Sequence, residues 1–182
     1  ITNPLGEASV YTYRYDFGVP TSVTDSNGLK TTWTYDEFGR RTQESRPDLT
    51  RTAWSFESCS AGPCWGGADL RFLVYESWVG SDGALVRSRQ VFHDGFERPR
   101  FDQSHRALGP WTQRQTAYDP LGRAIMEHRP WSLAQNGYRS RTFDVLGRIT
   151  AERDHDAAGT IVAANTFAYA GRTTTATDRS VA

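Results

Sequence analysis

Apolar and polar positions alternate with a period of two over short runs, and each run is closed by a turn signal. Trp33 and Tyr35 fall on one face of such a run, Thr32 and Thr34 on the other. Turn signals recur at Asp25-Ser26-Asn27-Gly28, Ser81-Asp82-Gly83, Asn136-Gly137 and Asp156-Ala157-Ala158-Gly159. They leave strands of roughly 6 to 9 residues, within the usual range. No stretch carries a 3.6-residue apolar period. The pattern predicts an all-β protein.

The turns belong to a repeat. Tyr35-Asp36-Glu37-Phe38-Gly39-Arg40 returns as Tyr118-Asp119-Pro120-Leu121-Gly122-Arg123 and as Phe143-Asp144-Val145-Leu146-Gly147-Arg148. Looser copies occupy 15–18, 93–98 and 169–172 beside the intact ones at 35–40, 118–123 and 143–148. The long gap between Tyr35 and His93 is expected to hold one further unit plus an insertion at 59–67. Each hexamer reads as a β-hairpin. Its aspartate accepts from backbone amides two residues on, and its glycine supplies the positive φ that closes a four-residue loop.

Both strand faces are polar. Arg114 and Thr116 share a face with Tyr118, and Arg139 and Arg141 share one with Phe143. The opposite positions carry Gln113, Gln115, Ser140 and Thr142. A sandwich would show one clean apolar face per strand. The expectation is instead a single-layer sheet, wetted on both sides and held by ladder hydrogen bonds, aromatic pairs and arginine stacking.

Composition agrees. Leu, Ile, Val and Phe make up only 33 of 182 residues, while the chain holds 20 Thr, 20 Arg and a single Lys. So few aliphatics exclude a large dry helical core. Zero net charge and 13% aromatics exclude a disordered chain. The balanced charge also argues against a nucleic-acid partner, and no apolar run approaches the ~18 residues of a membrane span. Neither terminus reads as a cap of a repeat array. Residues 1–182 are therefore expected to be a fragment of a longer array, with any export signal outside it.

The hexamers resemble the YD repeat of the Rhs family, aromatic-Asp-x-x-Gly-Arg, and the resemblance runs through nearly the whole chain. The stretch Thr24 to Asp36 is similar to the segments that link such repeats, as are Arg46-Pro47-Asp48 and Thr173 to Asp178. The resemblance extends to the B/C components of insecticidal toxin complexes and to teneurins. It implies a spiralling β-sheet that closes as a hollow shell, enclosing in bacterial members a C-terminal toxin. The implied partners are the rest of the shell, the enclosed toxin and a delivery machinery, and the implied location is outside the producing cell. Five positions depart from the family pattern: Glu97 for the motif glycine, His93 for the aromatic, Leu49 for a linking-turn glycine, Val19 for Arg and Ala170 for Asp. A non-glycine residue forced to positive φ costs about 1 kcal/mol, so the turns at Glu97 and Leu49 are expected to take another geometry.

Candidate chemistry is sparse. Asp119-Pro120-Leu121-Gly122 echoes the Asp-Pro-x-Gly run of self-cleaving Rhs ends, but aspartyl catalysis needs a second carboxylate close by. No second such run follows, and a turn with Pro at its second position accounts for the sequence. Cys59 and Cys64 are too few for a structural zinc site; they stand as either a disulfide or two free thiols. The four histidines are scattered and are expected to face solvent or to join a strand ladder. Nucleotide and serine-hydrolase motifs are missing, so no cofactor is expected. Trp33, Trp54, Trp65, Trp78, Trp111 and Trp131 could form a carbohydrate platform, an association known in the resembled family. An aromatic at every motif position is, however, what sheet packing alone requires. The reading is a non-catalytic segment of a toxin-enclosing wall; the alternative is a carbohydrate-binding or adhesive surface module.

Overall fold

A computed structural model of the chain describes all residues except 3, 5, 62, 63, 65–68, 108, 181 and 182. Fourteen strands follow one another along the chain. The first seven are β1 (Val10–Arg14), β2 (Val19–Thr24), β3 (Lys30–Tyr35), β4 (Arg41–Ser45), β5 (Arg51–Ser58), β6 (Leu70–Val79) and β7 (Leu85–Asp94). The others are β8 (Pro99–Arg106), β9 (Thr112–Tyr118), β10 (Ala124–His128), β11 (Tyr138–Phe143), β12 (Ile149–His155), β13 (Ile161–Ala170) and β14 (Thr173–Ser180). They form one sheet in strict sequence order, and every neighbouring pair is antiparallel. Among the described residues the one helical feature is a 3-10 turn at Cys59–Ala61.

The hairpins close more tightly than the sequence suggests. In the first intact motif the Asp36 amide donates to the Arg40 carbonyl at 2.9 Å and the Gly39 amide to the Asp36 carbonyl at 3.2 Å. The loop is thus three residues, a type I turn followed by one left-handed residue, and not the expected four. The same pair of bonds closes the turns that start at Asp25, Arg46, Gly80, Asp94, Asp119, Asp144 and Asp156. Gly39, Gly122 and Gly147 hold φ of 77°, 85° and 81°. Leu49 and Glu97 take the same conformation at 67° and 63°, which corrects the expectation of a different turn. The hydrogen bonds of the turn outweigh the left-handed penalty of about 1 kcal/mol.

A second regularity was invisible in the alternation. On several return strands one residue has no partner opposite it, as at Thr21, Thr42, Ile125 and Thr150. These β-bulges bend the strand and increase its twist. Three are pinned by threonine pairs: Thr12 with Thr21, Thr34 with Thr42 and Thr142 with Thr150, each at 2.9 Å.

The two faces differ in chemistry. Across β1 to β4, Thr12, Ser22, Thr32 and Ser45 lie opposite one another, and across β7 to β9 so do Gln90, Gln103 and Gln113. We refer to this as the amide face. Ser22, Ser88 and Gln103 are buried on it, which a thin sheet tolerates because such groups satisfy one another, as Ser22 does with Thr12 at 2.7 Å and Gln103 with Gln90. The other, ionic, face carries Arg89 opposite Glu76, Arg114 opposite Asp102, and Arg139 and Arg141 opposite Asp154 and Glu152.

Little apolar area is hidden. The accessible surface is 11851 Å², against about 8,800 Å² for a globular monomer of this mass. The core is a cluster of Leu70, Leu73 and Phe92, with Cys59, Cys64 and Phe101 packed on it. From Phe92 an aromatic row crosses the amide face. Phe92, Phe101, Trp131, His128, Tyr138 and His155 follow ring to ring at centroid distances of 6.0, 6.1, 5.3, 5.3 and 4.2 Å. His128 and His155 are buried in it and join the strand ladder, each opposite Tyr138, which bears out the ladder alternative for these two and not the solvent-facing one.

Candidate functional site

All motif turns lie on one rim, at the ends of odd-numbered strands, where they form a column. Four motif aspartates work as clamps, while Asp16 instead pairs with Arg14 at 2.8 Å. Asp119 Oδ1 accepts from the Leu121 and Arg123 amides at 2.9 Å each, while Oδ2 takes the Arg123 Nε at 2.6 Å. Asp36 binds Phe38 and Arg40 in this way, Asp94 binds Phe96 and Arg98, and Asp144 binds Leu146 and Arg148. The motif thus explains itself: the carboxylate organises the turn and fixes the arginine four residues on.

The clamped arginine then reaches the next unit. The guanidinium of Arg98 lies 4.7 Å from the Tyr118 ring centre, Arg123 4.6 Å from Phe143 and Arg148 4.3 Å from Tyr169. Arg40 covers Phe56 at 4.3 Å in the same manner. Arg123 also donates through Nη1 to the Asp144 carbonyl at 3.2 Å, as Arg14 does to that of Asp36. The tyrosines stitch backwards. Tyr35, Tyr118 and Tyr169 donate their hydroxyls to the Pro20, Pro99 and Ile149 carbonyls at 2.6, 3.1 and 2.7 Å. Phe143 lacks a hydroxyl and contributes only its ring.

Between β5 and β6 no motif turn occurs among the described residues, which hold the Cys59–Ala61 turn and a Cys59–Cys64 disulfide with sulfurs 2.01 Å apart. The inserted segment 59–67 lies only partly within the described residues, and Trp65 lies outside them. His93, at a motif-aromatic position, stacks on Phe72 at 4.6 Å. Burial pushes its imidazole pKa down, and that of His128 likewise.

The electrostatics of the column are uniform. Burial pushes the Asp119 carboxyl up, but the amide and guanidinium of Arg123 and the Leu121 amide outweigh it and hold the pKa below the usual value. Asp36 and Asp94 show the same balance, and Asp144 is lowered first by the Arg148 amide. A carboxylate held ionised in this way is suited to clamping; a general acid needs the opposite shift.

The five tryptophans among the described residues do not gather into one platform. Arg41 lies against both Trp33 and Trp54, at 5.3 and 6.0 Å, Arg87 covers Trp78 at 4.6 Å, and Trp33 donates to Glu44 at 3.0 Å. Trp111 meets His105, and Trp131 belongs to the aromatic row.

The family model described as RHS Repeat matches residues 16–51. Sequence comparison with curated proteins finds no match. Among solved structures the crystal structure of TcdB2-TccC3 is similar, with a TM-score of 0.66 and 16% identity, covering 95% of this chain and 11% of that one. TcdB2-TccC3 without its hypervariable C-terminal region gives 0.57 and 12%, over 94% of this chain and 16% of that one. The Photorhabdus luminescens Tc holotoxin pore gives 0.52 and 12%, over 93% and 10%. The chain therefore spans only a small part of the length of these structures, and at such identities the likeness is one of fold. An RHS repeat thus lies at 16–51, and the same clamped hairpin recurs beyond it through a sheet that shares the fold of these Tc toxin structures.

Proposed function

We propose that this chain is a structural, non-catalytic part of a shell wall that encloses a C-terminal toxin for delivery to a target cell. The observation that carries the reading is the single layer itself: fourteen sequential antiparallel strands with two wettable faces and a rim stitched by clamped turns. A wall between solvent and a wet lumen has to be wettable on both sides, since a large exposed apolar patch would capture cargo or neighbouring molecules. The rest of the shell, its cargo and its delivery machinery are the partners of this role, which places the chain outside the producing cell. Asp119, Asp36 and Asp144 act as turn clamps in this reading, and Cys59–Cys64 ties down the insertion.

The test is limited proteolysis of the full-length parent. The region C-terminal to the repeats is expected to resist protease while the shell is intact and to be cut at once when the shell is opened by denaturant. Rapid cleavage in the intact protein would overturn the enclosure reading. Saccharide binding that is abolished by Trp54→Ala, with the fold unchanged, would favour the adhesive module instead.

A further inference from the structure

The arginines balance the acids along the sequence, but in space they do not. On the ionic face two adjoining hollows of about 270 and 280 Å³ share Arg114 and Pro130, so that they form one trough across β7 to β12. Six arginines line it: Arg87, Arg89, Arg114, Arg129, Arg139 and Arg141. Only three carboxylates do so, Asp102, Glu127 and Asp154.

Those carboxylates are already engaged. Arg89 grips Asp102 with two bonds of 2.9 and 2.7 Å, and Arg139 grips Asp154 with two of 2.9 and 3.1 Å. Arg141 holds Glu127 and reaches Glu152 at 2.7 Å, while Arg129 approaches Asp154 only to 3.6 Å. Arg114, in the middle of the trough, is exposed and makes no ion pair among the described residues. Arg87, at one end, is exposed and covers Trp78 with no carboxylate partner among them. The surplus charge therefore points at solvent from a concave surface.

We propose that this trough binds a polypeptide segment bearing spaced carboxylates. An arginine fork matches a carboxylate with two parallel hydrogen bonds, and Arg114 and Arg87 are the free forks. The interleaved acids of the lining select the class of partner. A nucleic-acid duplex presents a charge every ~1.7 Å along its axis, and such a ligand would be forced against Asp102, Glu127 and Asp154. A peptide with acidic residues separated by small neutral ones can address the free arginines and avoid those carboxylates. This binding role is independent of enclosure.

The experiment is fluorescence anisotropy of the full chain with a labelled peptide of Glu-Gly-Ser repeats. A Gln-Gly-Ser peptide and a single-stranded oligonucleotide of equal charge serve as comparisons. The acidic peptide is expected to bind in preference to both, and to be released in ~1 M salt, where the Debye length falls to about 3 Å. Arg114→Glu is expected to weaken binding about tenfold or more, the equivalent of one charge-assisted hydrogen bond. Arg114→Gln should show a smaller loss in the same direction. Arg172→Glu, exposed and outside the trough, should match the parent, and circular dichroism should be unchanged in all three variants. Absence of binding by the parent overturns the proposal. So does equal binding of the neutral peptide or the oligonucleotide, or an equal loss in Arg172→Glu.

Discussion

The turns at Asp94 and Asp119 have the same geometry and different residues where geometry is most demanding. In one, Glu97 holds φ of 63°; in the other, Gly122 holds 85°. Both close with an aspartate amide to an arginine carbonyl, at 3.1 and 3.0 Å. Both clamp that arginine through Oδ2, at 2.8 and 2.6 Å. The aspartates differ in setting: the Asp94 side chain is 5% exposed, while that of Asp119 is 12% exposed. The comparison teaches that glycine makes the turn cheap, whereas the aspartate–arginine clamp makes it specific. Where the clamp is most buried, glycine is dispensable.

The largest expected effect comes from acid, which attacks every clamp at once. For Asp94, burial raises the carboxyl pKa, but Arg98 and the Phe96 and Arg98 amides lower it further; Asp36, Asp119 and Asp144 are lowered as well. A carboxyl that is lowered on folding stabilises the fold above its unfolded pKa, about 3.9. That stability is lost as pH falls through the lower folded value. His93 and His128, lowered by burial, add a loss that begins earlier, as pH falls below their unfolded value of about 6.5. Thermal melts from pH 8 to about pH 2 should therefore show a shallow decline followed by a steep one below ~4. A melting temperature independent of pH in the acid range would refute the clamp as the stabilising element.

Next in size is the comparison of Asp94→Ala with Asp119→Ala. Removing Asp94 strands two amides and the Arg98 guanidinium in a buried site, with an expected cost of about 2 to 3 kcal/mol by denaturant titration. Asp119→Ala should cost clearly less, because water reaches its partners. Equal losses would mean that burial does not distinguish the two turns. The smallest effect is expected of Glu97→Gly. It relieves a left-handed penalty of about 1 kcal/mol and adds backbone entropy to the unfolded chain, so a net gain of about 0.5 kcal/mol is expected. A gain several times larger would mean that the turn at Asp94 is strained and the clamp weaker than its geometry implies.

Much of this was legible in the residues. The Asp-x-x-Gly-Arg spacing located the hairpins, and strict alternation at Gln113 to Thr116 and Arg139 to Thr142 separated an amide face from a charged one. The loop length was misjudged because an aspartate bonding two residues on fits loops of more than one size. The fate of Glu97 was misjudged because a φ penalty was weighed without the bonds that offset it. The histidines looked scattered because His128 and His155 are 27 positions apart. They meet only through Tyr138, which pairs with His128 on one side and His155 on the other.

The sequence by itself determined that the chain is a run of hairpins, where each turns, and which residues share a strand face, since each is a matter of contacts within about five residues. The tertiary structure alone decided what meets across strands. Bulges at positions such as Thr42 and Thr150 reset the register of each strand pair, and a period-two pattern is blind to an extra residue. That register aligns Phe92 to His155 into one aromatic row, sets each clamped arginine over the aromatic of the following unit, and gathers six arginines around three carboxylates. Charges that cancel along the chain fail to cancel in space, because local balance constrains the sum and only the register assigns the neighbours.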